Sequence, residues 1–208
     1  MLDALLSAAA IPAAGWAAHA GLLYRRLTAV RHDPLSGLLT RDGWSRRARR
    51  IIRRSSAAVI LLDLDGFKQI NDRCGHAAGD AVIAATGERL AAWCGRAGIA
   101  GRLGGDEFVI AIAADGPLED ALAELRTELA QPVEHDGKLL RPGASLGVAR
   151  VADLAEPTLS KALGAADRAM YRDKGRGRRG RRRPLLTPIA VAIRKTIAPL
   201  AHTLGKAA

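Results

Sequence analysis

Aromatic residues make up only 3% of this 208-residue chain, so a folded core has to be built from Leu, Ile, Val and Ala. No basic stretch interleaves aromatics with its cations, which argues against a base-stacking nucleic-acid surface, and no specific nucleic-acid partner is expected. There are only two cysteines, Cys74 and Cys94, and neither has a nearby Cys or His in metal-ligand spacing. That excludes a zinc ribbon or a disulfide framework and leaves two buried thiols in a reducing compartment. Acidic residues are missing altogether from Lys174 onward, where ten basic residues fall, and residues 1–54 hold ten basic against three acidic. Between Ser55 and Asp173 the balance reverses to eighteen acidic against twelve basic. The net charge of +11 therefore describes two basic flanks on an acidic centre, not a basic domain. Charge of either sign is absent from residues 4–24, and Arg25-Arg26 follow at once.

A charge-free run of about 20 residues is long enough to span a bilayer, with the arginine pair on the cytoplasmic side. Residues 1–26 are accordingly predicted to form an apolar helix that anchors the chain to the inner face of the membrane. The Ala- and Gly-rich run, interrupted by Pro12 and His19, keeps a packing or dimerising helix as the alternative. A cleaved signal peptide fits worse, because its positive charge precedes the apolar run. At the other end, DKGRGRRGRRRP is low-complexity and basic and cannot bury a core. Beyond it, Ile189, Ile193, Ile197, Leu200 and Leu204 fall on one helical face. Residues 179–208 thus read as a basic tail, unstructured or carrying an amphipathic piece for a membrane surface.

The stretch 27–178 reads as one α+β domain. A short basic helix is predicted over 44–54, and AAVILLDL at 57–64 is a compact apolar strand ending on acids. Helices follow at 67–74 and 77–93, broken by Gly75. Strands at 99–103 and 107–113 flank Gly104-Gly105, a strong hairpin signal. An amphipathic helix at 118–130, a small hairpin at 132–140 around Asp136-Gly137, a strand at 144–151 and a helix at 158–172 complete the order. The order β-α-α-β-β-α-β-β-α predicts a mostly antiparallel central sheet flanked by helices.

Two carboxylates stand out on physical grounds. Asp63 ends a buried strand and Asp106 follows the Gly-Gly turn, so adjacent strands would bring both to one sheet edge. Such a pair, completed by substrate phosphate oxygens, suits Mg²⁺. Gly104 and Gly105 lack side chains and let a nucleotide approach the backbone.

The segments LLDLDGFKQINDRCGHAAGD at 61–80 and RLGGDEF at 102–108 closely resemble the GGDEF diguanylate cyclase family. DPLSGL at 33–38, SLGVA at 145–149 and AADRAMYRDKGRGR at 165–178 extend the likeness from about Asp33 to Arg178, in the family's order and spacing. The resemblance implies a ferredoxin-like palm of the nucleotidyl cyclases, a Mg²⁺ cofactor that Mn²⁺ could replace, and GTP as substrate. It implies metal ligation by Asp63, the Leu64 carbonyl and Asp106, with Glu107 supporting the metal shell. Asn71, His76 and Asp80 would contact GTP, Asn71 and Asp80 at the guanine edge. Lys68 would neutralise the transferring phosphate, and Lys174 and Arg178 would reach the terminal phosphates. Asp106 or Glu107 would help deprotonate the ribose 3′-hydroxyl. Asp65 is expected to face away from Asp63 and is not counted as a ligand; Phe67 is expected in the core.

In this family two subunits, each with one GTP, face each other and condense the pair into cyclic di-GMP and two pyrophosphates, so a homodimer is implied. The alternative is a catalytically silent domain that binds GTP or cyclic di-GMP as a regulator. Four positions depart from the family pattern. The product-inhibition RxxD is replaced by Gly95 and Gly98 at its two ends, Leu103 replaces an aromatic before Gly104, and Thr40 stands where Asn is common. No sensor domain is recognisable, so the controlling signal is not legible.

Overall fold

The computed structural model describes residues 31–114 and 116–177, together with Trp16. The predicted apolar helix (apart from Trp16), the basic tail and Arg178 lie outside the described residues. Among the described residues no helix is long and apolar enough to cross a membrane.

The first strand, β1 (Leu39–Thr40), leads directly into α1 (Arg41–Ile51). The long strand β2 (Ala57–Asp65) is followed by α2 (Phe67–Cys74) and α3 (His76–Cys94), which meet at Gly75. Then come β3 (Gly98–Gly104), β4 (Glu107–Ala113) and α4 (Leu118–Leu129), and the hairpin β5 (Val133–His135) with β6 (Lys138–Leu140). The strand β7 (Gly143–Arg150) and helix α5 (Leu159–Gly177) close the domain. The main sheet has the order β1-β3-β4-β2-β7. Only the β1–β3 pairing is parallel; β3–β4, β4–β2 and β2–β7 are antiparallel. This is the predicted α+β architecture.

Strand alternation divides the core into two layers. Ala58, Ile60, Leu62 and Leu64 of β2, with Phe108, Ile110 and Ile112 of β4, pack against Ala78, Val82 and Leu90 of α3 and Leu122 and Leu125 of α4. Ala57, Val59 and Leu61, with Val109 and Ala111, face Trp44 and Ala48 of α1 and Ala162, Leu163 and Ala166 of α5. With both faces covered, β2 is apolar at almost every position, which is why its run carries no alternation. The scarce aromatics are used where bulk counts. Trp44 and Phe108 are fully buried, and the Trp44 Nε1–H reaches the Ile99 carbonyl at 3.4 Å. Cys94 is buried and its thiol is pushed up to about 12 by burial, so it packs as an inert apolar group. Phe67 is partly buried against the first of these layers, as expected.

Three differences from the sequence expectations have local causes. Helix α1 starts three residues before 44 because Thr40 caps it, its Oγ1 accepting from the Gly43 N–H at 3.4 Å. The pairing of β1 with β3 involves two residues, too few to leave a periodic signal. Helix α5 runs past Arg172 to Gly177 because its last turns hold onto the sheet. Asp173 accepts from the Leu146 N–H of the edge strand β7 at 3.2 Å and from Arg126 of α4 at 3.4 Å.

Candidate active site

The site forms where β2 ends and the β3–β4 turn folds over it. Asp63 pairs in register with Glu107 across β2 and β4, so both carboxylates project on the α5 side of the sheet. The Leu64 N–H donates to the Asp106 carbonyl at 3.2 Å, which ties the turn to the strand end. Gly104 and Gly105 take φ of 144° and 53°, values that L side chains rarely adopt. A Cβ at either would meet nothing within 4 Å. The glycines are therefore required by the backbone, and the space over the turn is open.

Three residues brace this turn, and the sequence reading gave none of them a role. Arg102 donates from Nε to the Gly105 carbonyl at 2.9 Å and from Nη1 to both Asp33 oxygens at 2.9 and 3.2 Å. Asp33 also accepts from the N–H and the Oγ of Ser36, each at 2.8 Å. Burial alone would raise the Asp33 carboxyl, but the Ser36 and Arg102 contacts outweigh it and hold it below the usual aspartate range. Arg41 donates from Nη2 to the Leu103 carbonyl at 2.9 Å. The available signal was the Asp-x-x-Ser spacing in DPLSGL, a local capping pattern, and the arginine directly before LGGDEF. Leu103, in place of an aromatic, is simply buried.

Electrostatically the site is loaded with like charge. Burial pushes the Asp63 carboxyl above its usual range, and Asp106 and Asp65 add to this, against the opposing pull of Lys174. Glu107 is raised chiefly by burial and then by Asp63 and Asp106, with Arg41 and Lys174 pulling the other way. Among the described residues the one cation in direct contact is Lys174 of α5, whose Nζ lies 2.8 Å from Asp63 Oδ1. Asp65 does not face away, contrary to expectation. Two residues along a strand return to the same face, and its Oδ1 accepts from Ser145 Oγ of β7 at 2.7 Å. Being occupied by Ser145, it remains outside the candidate ligand set.

The remaining predicted residues lie on α2 and the start of α3, immediately past the end of β2. Lys68, His76 and Asp80 are exposed there, and among the described residues no hydrogen bond or ion pair joins them to the carboxylates. Asn71 is different. Its Oδ1 is buried without a hydrogen-bond partner, and a Cβ at Gly79 would collide with it. Gly79 of the GHAAGD segment is thus a further residue of this region, required for close approach of α2 and α3.

No three His, Cys, Asp or Glu side chains among the described residues form a ready-made metal cage. The donor chemistry nonetheless fits Mg²⁺. Hard carboxylate oxygens of Asp63, Asp106 and Glu107 gather at one edge at an electrostatic cost that a cation would offset, and Mg²⁺ usually takes only one or two carboxylates plus substrate phosphates and water.

The family model for the diguanylate cyclase GGDEF domain matches residues 30–180. The chain is 54% identical over 182 residues to an uncharacterised 19.3 kDa protein of the repSA 5′ region in Streptomyces ambofaciens, covering 87% of this chain and 98% of that one. It is 34% identical over 160 residues to the diguanylate cyclase TpbB of Pseudomonas aeruginosa, covering 73% of this chain but only 37% of that protein. Among solved structures, a sensory box/GGDEF family protein of Caulobacter crescentus is similar with a TM-score of 0.65 and 41% identity, over 71% of this chain and 99% of that one.

Proposed function

The chain belongs to the GGDEF family, and from that premise we propose that it is a diguanylate cyclase, condensing two GTP into cyclic di-GMP and two pyrophosphates across a homodimer. The observation that carries the proposal is the carboxylate pair of Asp63 and Glu107, set in register under an open Gly-Gly turn with Lys174 against it.

Each half-reaction is an attack of one ribose 3′-oxygen on the α-phosphorus of the other GTP. A P–O bond forms, the bond to pyrophosphate breaks, and the hydroxyl proton leaves. Glu107 is the group to receive that proton, helped by Asp106, since a half-buried carboxyl above its ordinary range is a better base than an exposed one. Mg²⁺, held by Asp63, Asp106, Glu107 and the Leu64 carbonyl, would supply charge neutralisation at the phosphates when bound. Lys174 would exchange its ion pair with Asp63 for the terminal phosphates, with Arg178 beyond it, and Lys68 would face the transferring phosphate. Asn71 carries an amide whose acceptor has no internal partner, which suits a group kept for guanine, and His76 and Asp80 would complete that end. The backbone at Gly104 and Gly105 leaves room for the nucleotide. Little covalent chemistry is asked of the protein; orientation and charge placement carry the rate.

Feedback through the family's product-binding motif is not part of this proposal. Gly95 and Gly98 stand at its ends, and a Cβ at Gly98 would sit 2.9 Å from the Ala111 carbonyl.

The test is direct. Purified full-length chain is incubated with GTP and Mg²⁺, and cyclic di-GMP is measured alongside Asp63→Ala and Glu107→Gln. The wild type should form product, and each variant should lose it by a factor of about 10² or more. Absence of product from a dimeric wild type that binds GTP would replace the enzyme with a nucleotide-binding regulator.

A further inference from the structure

Helix α1 presents a strongly charged face that the proposed chemistry does not use. Arg46, Arg47, Arg49 and Arg50 of the helix, with Arg53 and Arg54 of the turn that follows, are all exposed. Among the described residues no ion pair or hydrogen bond is made by any of the six side chains. No Asp or Glu occurs between Asp42 and Asp63, so nothing within the segment neutralises them. At helical spacing Arg46, Arg47, Arg49 and Arg50 lie within one broad arc, opposite the buried Trp44 and Ala48, and Arg53 and Arg54 continue the basic run past the helix end. An isolated arginine on a helix is ordinarily just solvated. Four on one face with two more directly after them repel one another.

We propose that this arginine face of α1 docks on an anionic lipid surface. Three observations favour a bilayer over other polyanions. First, the chain enters the domain beside this helix. The Arg31 carbonyl accepts from the Thr40 N–H at 2.8 Å and stands 2.7 Å from where a Gly43 Cβ would be, in the first turn of α1. The charge-free run ends at Tyr24, seven residues before Arg31. Seven residues reach at most about 25 Å, which keeps the end of the apolar run within reach of α1. A cluster of four to eight cations beside an apolar segment is the pattern that adheres to anionic headgroups.

Second, the surface lacks the means of reading nucleic acid. Its only aromatic, Trp44, is fully buried under the helix, so no base can stack there. Third, the geometry leaves the site accessible. Arg53 and Arg54 precede the start of β2 at Ala57, whereas Asp63 lies six residues further along, about 20 Å away at strand rise. A surface held at the far end of α1 therefore does not cover the Gly-Gly turn. Because the apolar face of α1 is committed to the core, docking is by charge at the headgroups and not by insertion.

The test uses the full chain and two vesicle preparations, phosphatidylcholine alone and phosphatidylcholine with phosphatidylglycerol at about two to one. The readout is the ratio of anionic to neutral partitioning, which cancels whatever residues 4–24 contribute to both. Each arginine reaching the surface is worth about fivefold, so converting all six to Gln should lower the ratio at least tenfold. Raising salt from about 0.05 to 0.5 M should abolish the wild-type preference. Neutralising Arg178, Arg179, Arg181, Arg182 and Arg183 instead should leave most of it. The six-site variant should melt within a few degrees of wild type and, without vesicles, match its catalytic rate. If it fails to fold, Arg50→Glu with Arg54→Glu reverses two charges and should reduce the ratio comparably. An unchanged ratio in a folded variant, or no anionic preference in the wild type, overturns the proposal. Tighter binding to duplex DNA than to anionic vesicles at the same salt, lost with the same six arginines, overturns the lipid assignment in favour of nucleic acid.

Discussion

Glu107→Gln should make the metal-free protein more stable while removing its activity. Glu107 sits directly opposite Asp63 on the neighbouring strand. Burial, then Asp63 and Asp106, raise its carboxyl above the ordinary glutamate value of 4.5. Like charges directly opposite on a sheet are destabilising, and cross-strand pairs are worth roughly 0.2–1 kcal/mol. Glutamine keeps the shape and removes the repulsion, though it also gives up attraction to Arg41 and Lys174. The net expectation is a gain of about 0.5 kcal/mol at neutral pH, or a melting point higher by about 1–2 °C for a domain of this size. The pH dependence fixes the cause. A carboxyl raised in the folded state supports folding while protonated, and that support is lost as pH rises through the raised value. Wild type and variant should therefore melt together below about pH 4 and separate towards pH 7. Adding Mg²⁺ with a non-reacting GTP analogue should reverse the order, because a ligand at a hundredfold its Kd stabilises the wild type by about 2.7 kcal/mol and a crippled site gains less. Differential scanning calorimetry with EDTA at both pH values is the assay. A variant less stable than wild type at pH 7, or an advantage equally large at pH 4, would refute the electrostatic account of this edge.

Asp33→Asn tests the brace behind the turn. Its carboxyl is held low by Ser36 and Arg102, so its contribution exists above about pH 3.8 and is lost as pH falls through the depressed value. The variant should be about 1 kcal/mol less stable at pH 7, with the difference closing in acid denaturation. Gly147→Ala should destabilise by about 1–3 kcal/mol or more, since the new Cβ would collide with the Ala166 carbonyl and with Met170. Urea titration reads this directly, and a neutral result would refute the close approach of α5 to β7 at Gly147. Gly79→Ala should raise the KM for GTP several-fold with a smaller effect on kcat, by displacing Asn71. An unchanged KM would remove Asn71 from the nucleotide site.

What the sequence makes legible here is what acts at short range, and the site shows where that limit falls. β2 is readable because an apolar run of strand length needs no partner to be recognised. The break at Gly75 is readable because the residue takes a φ of 85°, which favours glycine. The sheet order is a different kind of fact. β2 lies between β4 and β7 although β3 precedes β4 in the chain, and only that arrangement puts Glu107 on one side of Asp63 and Ser145 on the other. Lys174 sits 111 positions from Asp63 in the sequence, and no periodicity could set its Nζ against that carboxylate; the family motif supplied the residue, and α5 lying on β7 supplied the contact. The Asp33–Arg102 ion pair, 69 positions apart, leaves no sequence signal for the same reason. The Asp65 misplacement is the informative exception, because strand period alone puts it on Asp63's face. Its separate fate comes from Ser145, a neighbour on another strand. Asp63, Glu107 and Asp65 thus share one face with nearly the same chemistry, and what distinguishes them is the partner each one meets: Lys174 for Asp63, the facing aspartate for Glu107, and a serine hydroxyl for Asp65.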